Sequence, residues 1–419
     1  MSPSRIVIIN DRSVAAGGAT ALALLSARLF SEEGYNVTYI TGDDGKNAVL
    51  PPSVEIIPLG GLPLLKRDLK RAVLDGVYNF AALKLLEQAI RRLDGPDVVY
   101  HLHGWSQILS PAVFRALAGV QSRLLIHAHD FFMACPNGAF FNYKTEHVCE
   151  LKPLGAKCLS TNCDKRNIAQ KAFRVIRSVV HANVFSVSNS SALVAMIHPA
   201  MRPFLEKTDV SNAQLRVVRN PASSFRNERV EAESNSDIFF IGRVAKEKGL
   251  EVAIQAAQIA NCRLRIIGDG PERADLANKY PDIIWEGWLD HAAIAERIAS
   301  ARALVMPSLM PEPFGLVALE ALQCGVPLVS FDHSFLAQEV AKLGCGILAH
   351  ELSADSLANA FVRFDDDKLV QQLSIRAFET AHTLTYSQQE WRDQLLSIYG
   401  ELLYLALQEQ STDRPTDCQ

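Results

Sequence analysis

Residues 304–331 read LVMPSLMPEPFGLVALEALQCGVPLVSF, and they place two carboxylates, Glu312 and Glu320, eight positions apart. An ionised carboxylate only accepts hydrogen bonds, so it suits a ligand rich in hydroxyls and repels a phosphate. Between the two, Phe314-Gly315-Leu316 opens an apolar helix. Glycine at that point lets backbone N–H groups come close to a ligand. The helix N-terminus offers unpaired donors and partial positive charge to an anion. An anion site flanked by two hydroxyl-binding carboxylates describes a nucleotide-sugar pocket. The alternative is a surface loop before a core helix that carries one exposed Glu.

The elements that must hold these groups are legible on either side. Leu304–Met306 is an apolar run followed by a Pro-rich turn; the helix stops at Gly325 and Pro327, and Val326–Phe331 is a second apolar run. Strand, loop, helix and strand put the polar groups at a strand's carboxyl edge, where open parallel sheets bind ligands. Residues 237–250, DIFFIGRVAKEKGL, repeat the arrangement. Ile238–Ile241 is a short strand ended by Gly242; Arg243, Lys246 and Lys248 follow, and Gly249 precedes a helix. Arg supplies a planar fork and Lys a compact point charge, and about two such cations neutralise a diphosphate. The other reading is a solvated basic turn. A third strand, Leu264–Ile267, ends in Gly268-Asp269-Gly270-Pro271, and Trp285-Glu286-Gly287-Trp288 follows a fourth.

In this order the segments resemble the C-terminal half of a retaining glycosyltransferase of family 4, with the GT-B fold. The family pattern is Gly-Arg…Lys-Gly, a Gly-Asp-Gly-Pro turn, a Gly after the next strand, and Glu-x7-Glu enclosing Phe-Gly-Leu. The resemblance is tight over roughly residues 237–335 and looser elsewhere. It implies two Rossmann-like, doubly wound α/β domains facing a central cleft, with a C-terminal helix crossing back to the first. It implies that Arg243 and Lys248 hold the donor diphosphate, that Glu312 contacts the donor sugar, and that Glu320 contacts the ribose. Backbone around Phe314, Gly315, Leu316 and Val317 would touch sugar and phosphate, with Gly268 and Trp288 bordering the base. Lys246 has no firm counterpart and reads as a solvated charge. The activity implied is transfer of a sugar from a nucleotide diphosphate sugar to a hydroxyl, without a catalytic metal, onto a glycan or lipid-linked acceptor. An epimerase or phosphorylase on the same scaffold, or a non-catalytic nucleotide-sugar-binding subunit, are the rival readings. Asp365-Asp366-Asp367 superficially fits the metal-binding pair of another transferase fold, and reads as a solvated acidic turn.

The N-terminal half has similar grammar. Ile6–Asn10 is a strand, and Gly17-Gly18 precede the helix Ala21–Glu33 without the spacing of a dinucleotide fingerprint or a Walker lysine. By the resemblance this Gly-Gly loop lies under the donor phosphate. Val98–His101 and Leu124–Ile126 are strands followed by His103-Gly104-Trp105 and His127-Ala128-His129-Asp130. The resemblance aims His129 at the donor sugar; His101 and His127 read as packed within the sheet, and Asp130 as orienting His129 or binding the acceptor. A zinc reading of the four histidines lacks a cysteine or carboxylate partner at motif spacing. Phe185–Ser188 reads as a later strand that ends at the site.

The 419 residues suit two domains. The expected limits are 1–220 for an acceptor domain, 221–385 for a donor domain, 386–410 for the crossover helix and 411–419 for a tail. Residues 223–236 (SSFRNERVEAESNS) read as a linker. A net charge of −4 gives no general attraction to nucleic acid. No apolar run reaches the roughly 18 residues of a membrane span. The chain enters a strand at once, so a cytoplasmic protein without a signal peptide is expected, working at the inner face of the membrane if its basic helices bind lipid. Those helices lie in 62–93 and around Lys165–Arg177, and each mixes Lys and Arg with apolar residues. Of eight cysteines, Cys135, Cys149, Cys158 and Cys163 cluster in one long segment. They can bind zinc or an iron–sulfur cluster, form two disulfides, or stay reduced. Their spacings lack the usual x2, and a structural zinc is the expectation carried forward.

Overall fold

The computed structural model describes residues 1–15, 17–208 and 210–412. They fall into two compact units. Met1–Ala139, Glu150–Val218 and the segment from Gln388 onward form the first; Phe140–Cys149 and Arg219–Ser387 form the second.

In the first unit, β1 (Arg5–Asn10), β2 (Asn36–Thr41), β3 (Glu55–Pro58), β4 (Val98–Leu102) and β5 (Leu124–Ala128) belong to one parallel sheet. A short antiparallel hairpin, β6 (Phe141–Asn142) and β7 (His147–Val148), belongs to the second unit. β8 (Leu193–Met196) and β9 (Leu215–Val217) complete the first sheet, in the order β3-β2-β1-β4-β5-β8-β9. β4 and β5 are buried along their whole length. Helices on both faces exclude water, so these strands read as continuous apolar runs rather than alternating ones. The second sheet contains β10 (Asp237–Ile241), β11 (Leu264–Ile267), β12 (Ile284–Gly287), β13 (Ala301–Met306), β14 (Leu328–Phe331) and β15 (Gly346–Ala349), in the order β12-β11-β10-β13-β14-β15. Both orders run outward in one direction and then reverse, between β1 and β4 and between β10 and β13. Such switch points leave a crevice at the carboxyl ends of the strands.

Three expectations change. Residues 185–188 are no strand: the helix Ile168–Val184 ends there with Phe185 as its cap, and the strand comes later, at β8. The alternating Phe-Ser-Val-Ser pattern imitates a strand, while Ser188 is exposed. Residues 223–236 are packed on the second unit rather than free. Val230 and Ala232 are buried, Val230 N–H donates to Cys324 O, and Arg229 pairs with Glu233. The segment around the clustered cysteines is not one long loop, since it holds β6, β7 and the short helix Ala156–Ser160.

The last helix, Gln388–Thr412, belongs to the first unit and buries Trp391, Leu395, Tyr399 and Leu402. The expected tail lies, from residue 413 on, outside the described residues, Cys418 included. Among the described residues no helix is long and apolar enough to cross a membrane.

Candidate functional site

In the second unit, the loops after β10 and β13 meet at the switch point. Gly249 has φ 67°, and a Cβ there would fall 1.9 Å from Pro307 O. Only glycine fits a left-handed residue at that approach. Leu309 N–H donates to Glu247 O at 3.0 Å, which ties the two loops together. Lys248 Nζ then lies 2.5 Å from Glu312 Oε2, and Ser308 Oγ donates to the same oxygen at 2.9 Å. Burial pushes the Glu312 carboxyl up, but the Lys248 ammonium and the Ser308 hydroxyl outweigh it and hold Glu312 below its ordinary range.

Gly315, with φ 78°, opens the helix Leu316–Gln323, and no side chain caps it. Its first backbone donors, Leu316 and Val317 among them, have no acceptor within the helix. Phe314 is buried beneath them. One turn in, burial raises Glu320 to about 7, and His291 Nε2 stands 3.9 Å from its carboxylate. The loop after β11 closes on the loop after β10: a Cβ at Gly268 would fall 1.8 Å from Gly242 O. Trp288 is exposed beyond β12. An ammonium has three donors. Lys248 can therefore keep Glu312 and still donate to a phosphate oxygen, while the helix end supplies further donors.

Arg243 is exposed, and no carboxylate among the described residues pairs with it. Lys246 is exposed, as expected of a solvated charge, and pairs at 2.6 Å with Glu146 of the β6–β7 hairpin. That partner lies a hundred residues away, beyond the reach of local patterning. The Asp365–Asp367 run is spent on structure. Asp366 caps the helix Asp367–Thr380 through the N–H groups of Lys368 and Leu369, and Asp367 pairs with Arg302 at 2.6 Å.

The first unit has its own crevice where β1 gives way to β4. Asp11 and Arg12 leave β1 into it, His103 to Gln107 leave β4, and His129 and Asp130 leave β5. Beside it Gly17 begins the helix Gly18–Glu32 in extended conformation with no side-chain cap, and a Cβ at Gly17 would meet nothing within 4 Å. Asp130 accepts from Phe132 N–H rather than orienting His129. Arg12 Nε and Ser13 Oγ are buried without a partner, which makes them available to a ligand. Sequence reasoning passed over Asp11 and Arg12. Their place directly after the first strand was the signal that could have found them.

The cysteines are arranged otherwise than round a metal. Lys171 is buried, with Nζ 3.2 Å from Cys163 Sγ and 3.6 Å from Cys158 Sγ. Cys135 Sγ donates to Asn137 Oδ1, whose amide nitrogen reaches Cys163 Sγ. Cys149 belongs to the second unit. Where a zinc on Cys135, Cys149, Cys158 and Cys163 was expected, the chain sets a cation of its own beside Cys158 and Cys163, a lysine the spacing argument did not include.

Residues 222–380 match the family model described as Glycosyl transferases group 1. That segment, which contains the whole Lys248–Glu312 site, is similar to that family, and the chain has the GT-B fold. Alpha-D-kanosaminyltransferase of Streptomyces kanamyceticus is 29% identical over 186 residues, 42% of this chain and 48% of that protein. The chain thus spans about half the length of that curated relative. Sucrose-phosphate synthase of Thermosynechococcus elongatus superposes with TM-score 0.70 at 18% identity, covering 96% of this chain and 99% of the other. Anabaena Alr3699/HepE, solved with UDP-glucose, superposes with TM-score 0.64 at 16% identity, covering 95% and 99%.

Proposed function

We propose that this chain is a glycosyltransferase that moves a sugar from a nucleotide diphosphate sugar to a hydroxyl acceptor in glycan or glycolipid synthesis, with retention at the anomeric carbon as the family-4 resemblance implies. The observation that carries the reading is the Lys248–Glu312 pair at the β10/β13 switch point, beside an uncapped helix N-terminus. The donor diphosphate takes Lys248, Arg243 and the N–H groups of Leu316 and Val317. As the glycosidic bond breaks, negative charge grows on the leaving phosphate, and prepositioned donors stabilise that charge in the transition state. Glu312 accepts from sugar hydroxyls and Glu320 from the ribose, with Gly268 and Trp288 at the base. The acceptor takes the crevice of the first unit, where Arg12 and Ser13 have unused polar atoms and His129 Nδ1 is buried without a partner. A departing phosphate oxygen can take the acceptor proton, so no enzymic base is required. Uridine diphosphate sugars are the donors to try first, because Anabaena Alr3699/HepE was solved with one.

The test is a thermal-shift panel of nucleotide sugars, followed by measurement of free nucleotide. A true donor raises the melting temperature by mass action. Nucleotide release that grows with acceptor concentration marks a transferase. Stabilisation without release of nucleotide or change of the sugar under any condition would make the chain a binding subunit.

The acceptor is proposed to be held at a lipid surface. The helix Leu69–Val77 and the turn before it expose Leu65, Leu69 and Leu74 beside Lys66, Lys70 and Arg71, and Phe80 is 73% exposed. The helix Ile168–Val184 packs on Leu69–Val77 and exposes Ile168 and Ile176, but its own cations face inward, Lys171 and Arg177 buried and Arg174 paired with Asp164, so the surface charge comes from Lys66, Lys70 and Arg71. Apolar side chains ringed by cations suit an anionic interface. The protein is expected to sediment with anionic vesicles and not with zwitterionic ones, and to be released at high salt. Equal recovery in the supernatant with both vesicle types would remove the membrane from the account.

A further inference from the structure

Four histidines meet inside the first unit. His101 lies on β4 and His103 just past its end, two residues on; His127 lies on β5 and His129 just past it. Side chains two apart on a strand share a face. The parallel register pairs Leu102 with Ile126, and its next step sets His103 opposite His127. The ring centres of His101 and His103 are 4.0 Å apart, those of His103 and His127 5.1 Å, and those of His127 and His129 4.2 Å. His101, His103 and His127 each place a ring nitrogen so that the three lie within 4.8 Å of one another. All three residues are buried. His127 Nε2 and His129 Nδ1 are buried with no hydrogen-bond partner.

Leaving a buried polar atom unpaired costs about 1–3 kcal/mol. Apolar side chains would fill the same space without that cost, so packing alone does not account for four imidazoles here. We propose that His101, His103 and His127 form a three-histidine site for a zinc-like divalent transition-metal ion. Imidazole is the ligand that suits zinc, copper, nickel and iron. A zinc–nitrogen bond of about 2.0–2.1 Å sets two tetrahedral ligands roughly 3.3 Å apart. His101 Nε2 and His127 Nδ1 already stand 3.1 Å apart.

The surroundings supply what a histidine ligand needs. A metal-bound imidazole donates its other N–H to a fixed acceptor, which sets the tautomer. Tyr399 Oη lies 2.7 Å from His101 Nδ1, and His129 Nε2 lies 2.9 Å from His103 Nδ1. In the tautomers in which His101 Nδ1–H donates to Tyr399 Oη and His103 Nδ1–H to His129 Nε2, the opposite nitrogen of each ring keeps a lone pair for the ion, with Ser26 Oγ 3.5 Å from His103 Nε2. Two carboxylates, Asp11 and Asp130, line the crevice that His103 and His129 also line, and offset part of the ion's charge. An ion on His103 would fix His129 through their contact, and so set one wall of that crevice. None of this depends on the chain transferring a sugar.

The full-length protein should be produced in media supplemented in turn with zinc, cobalt and nickel, desalted, and assayed for bound metal and melting temperature. The expected result is about one ion per chain, a raised melting temperature through mass action, and a cobalt form with visible ligand-field absorption but no thiolate charge-transfer band. His127→Gln should lose the ion. Tyr399→Phe keeps the bulk of the side chain and should weaken metal affinity by about 10–100-fold, the usual effect of removing such a supporting contact. The triple variant Cys135→Ser, Cys158→Ser, Cys163→Ser should retain the ion. Folded wild-type protein without any of the three metals would overturn the proposal. So would an ion lost only from the cysteine variant, or held equally well after Tyr399→Phe and His127→Gln.

Discussion

Replacing Lys248 by Ala is expected to lower turnover by about a hundredfold or more, with the larger part in kcat. That is the usual scale for removing one donor from a site that stabilises charge developing in the transition state. Two effects act together. The ammonium that meets the leaving diphosphate is gone, and Glu312 loses the partner 2.5 Å away that keeps it ionised in a buried place. Burial is the opposing influence on that carboxyl. Without Lys248, Glu312 either takes up a proton or stands as an uncompensated charge facing the phosphates, and neither suits donor binding. The structural and catalytic shares separate in the double variant Lys248→Ala, Glu312→Gln. Removing the orphaned charge should restore most of any lost melting temperature, because breaking a buried pair from one side costs more than removing both charges. Turnover should stay low. A single variant with near wild-type kcat at saturating donor would place the diphosphate elsewhere and undo the site.

Much of this site was legible because it is local. The segments 237–250 and 304–331 carry strand, turn and helix signals in unbroken order, and the left-handed glycines Gly249 and Gly315 stand at the two helix starts. The strands that carry the site followed from apolar runs buried on both faces. What the sequence hid is set by distance along the chain or by a single buried charge. Lys246 finds Glu146, and Lys171 sits between Cys158 and Cys163. Neither pairing has a spacing that could announce it. Residues 223–236 look like a linker because they are polar, yet Arg229 spends that polarity on Glu233 and donates to Ser374 Oγ. The histidines were visible as two H-x-H pairs; their mutual approach required knowing that β4 and β5 are neighbours. Asp11 was passed over for the same reason, since its value lies in a loop ninety-six residues on.

That aspartate yields the largest expected effect on stability. Asp11 is buried and accepts three backbone N–H groups, from Gln107 at 2.8 Å to Oδ2, and from Ile108 at 2.7 Å and Leu109 at 2.8 Å to Oδ1. The loop after β4 is pinned to the end of β1 by these bonds, and with it the floor of the crevice. Asp11→Ala leaves three donors without their acceptor, those of Ile108 and Leu109 on buried residues, and a destabilisation of about 3–5 kcal/mol is expected, below the sum of three separate bonds because the loop relaxes. At roughly 2–4 °C per kcal/mol for a unit of this size, the melting transition of the first unit should fall by about ten degrees. Asp11→Asn is the discriminating variant. Its single amide oxygen can keep Ile108 and Leu109, while its NH2 group faces the Gln107 N–H, donor against donor. It should therefore fall between Ala and the parent. Burial pushes the Asp11 carboxyl above its ordinary range despite the three donors. The folded state then holds its proton to higher pH than the unfolded chain does, so this residue's contribution to stability declines as pH rises through the carboxylate range. The Asn variant, which cannot titrate, should narrow its deficit against the parent as pH is raised. A deficit that is the same at every pH would remove the titration of Asp11 from the account, and an Ala variant no less stable than Asn would mean that the three N–H groups find other acceptors and that Asp11 does not hold the crevice.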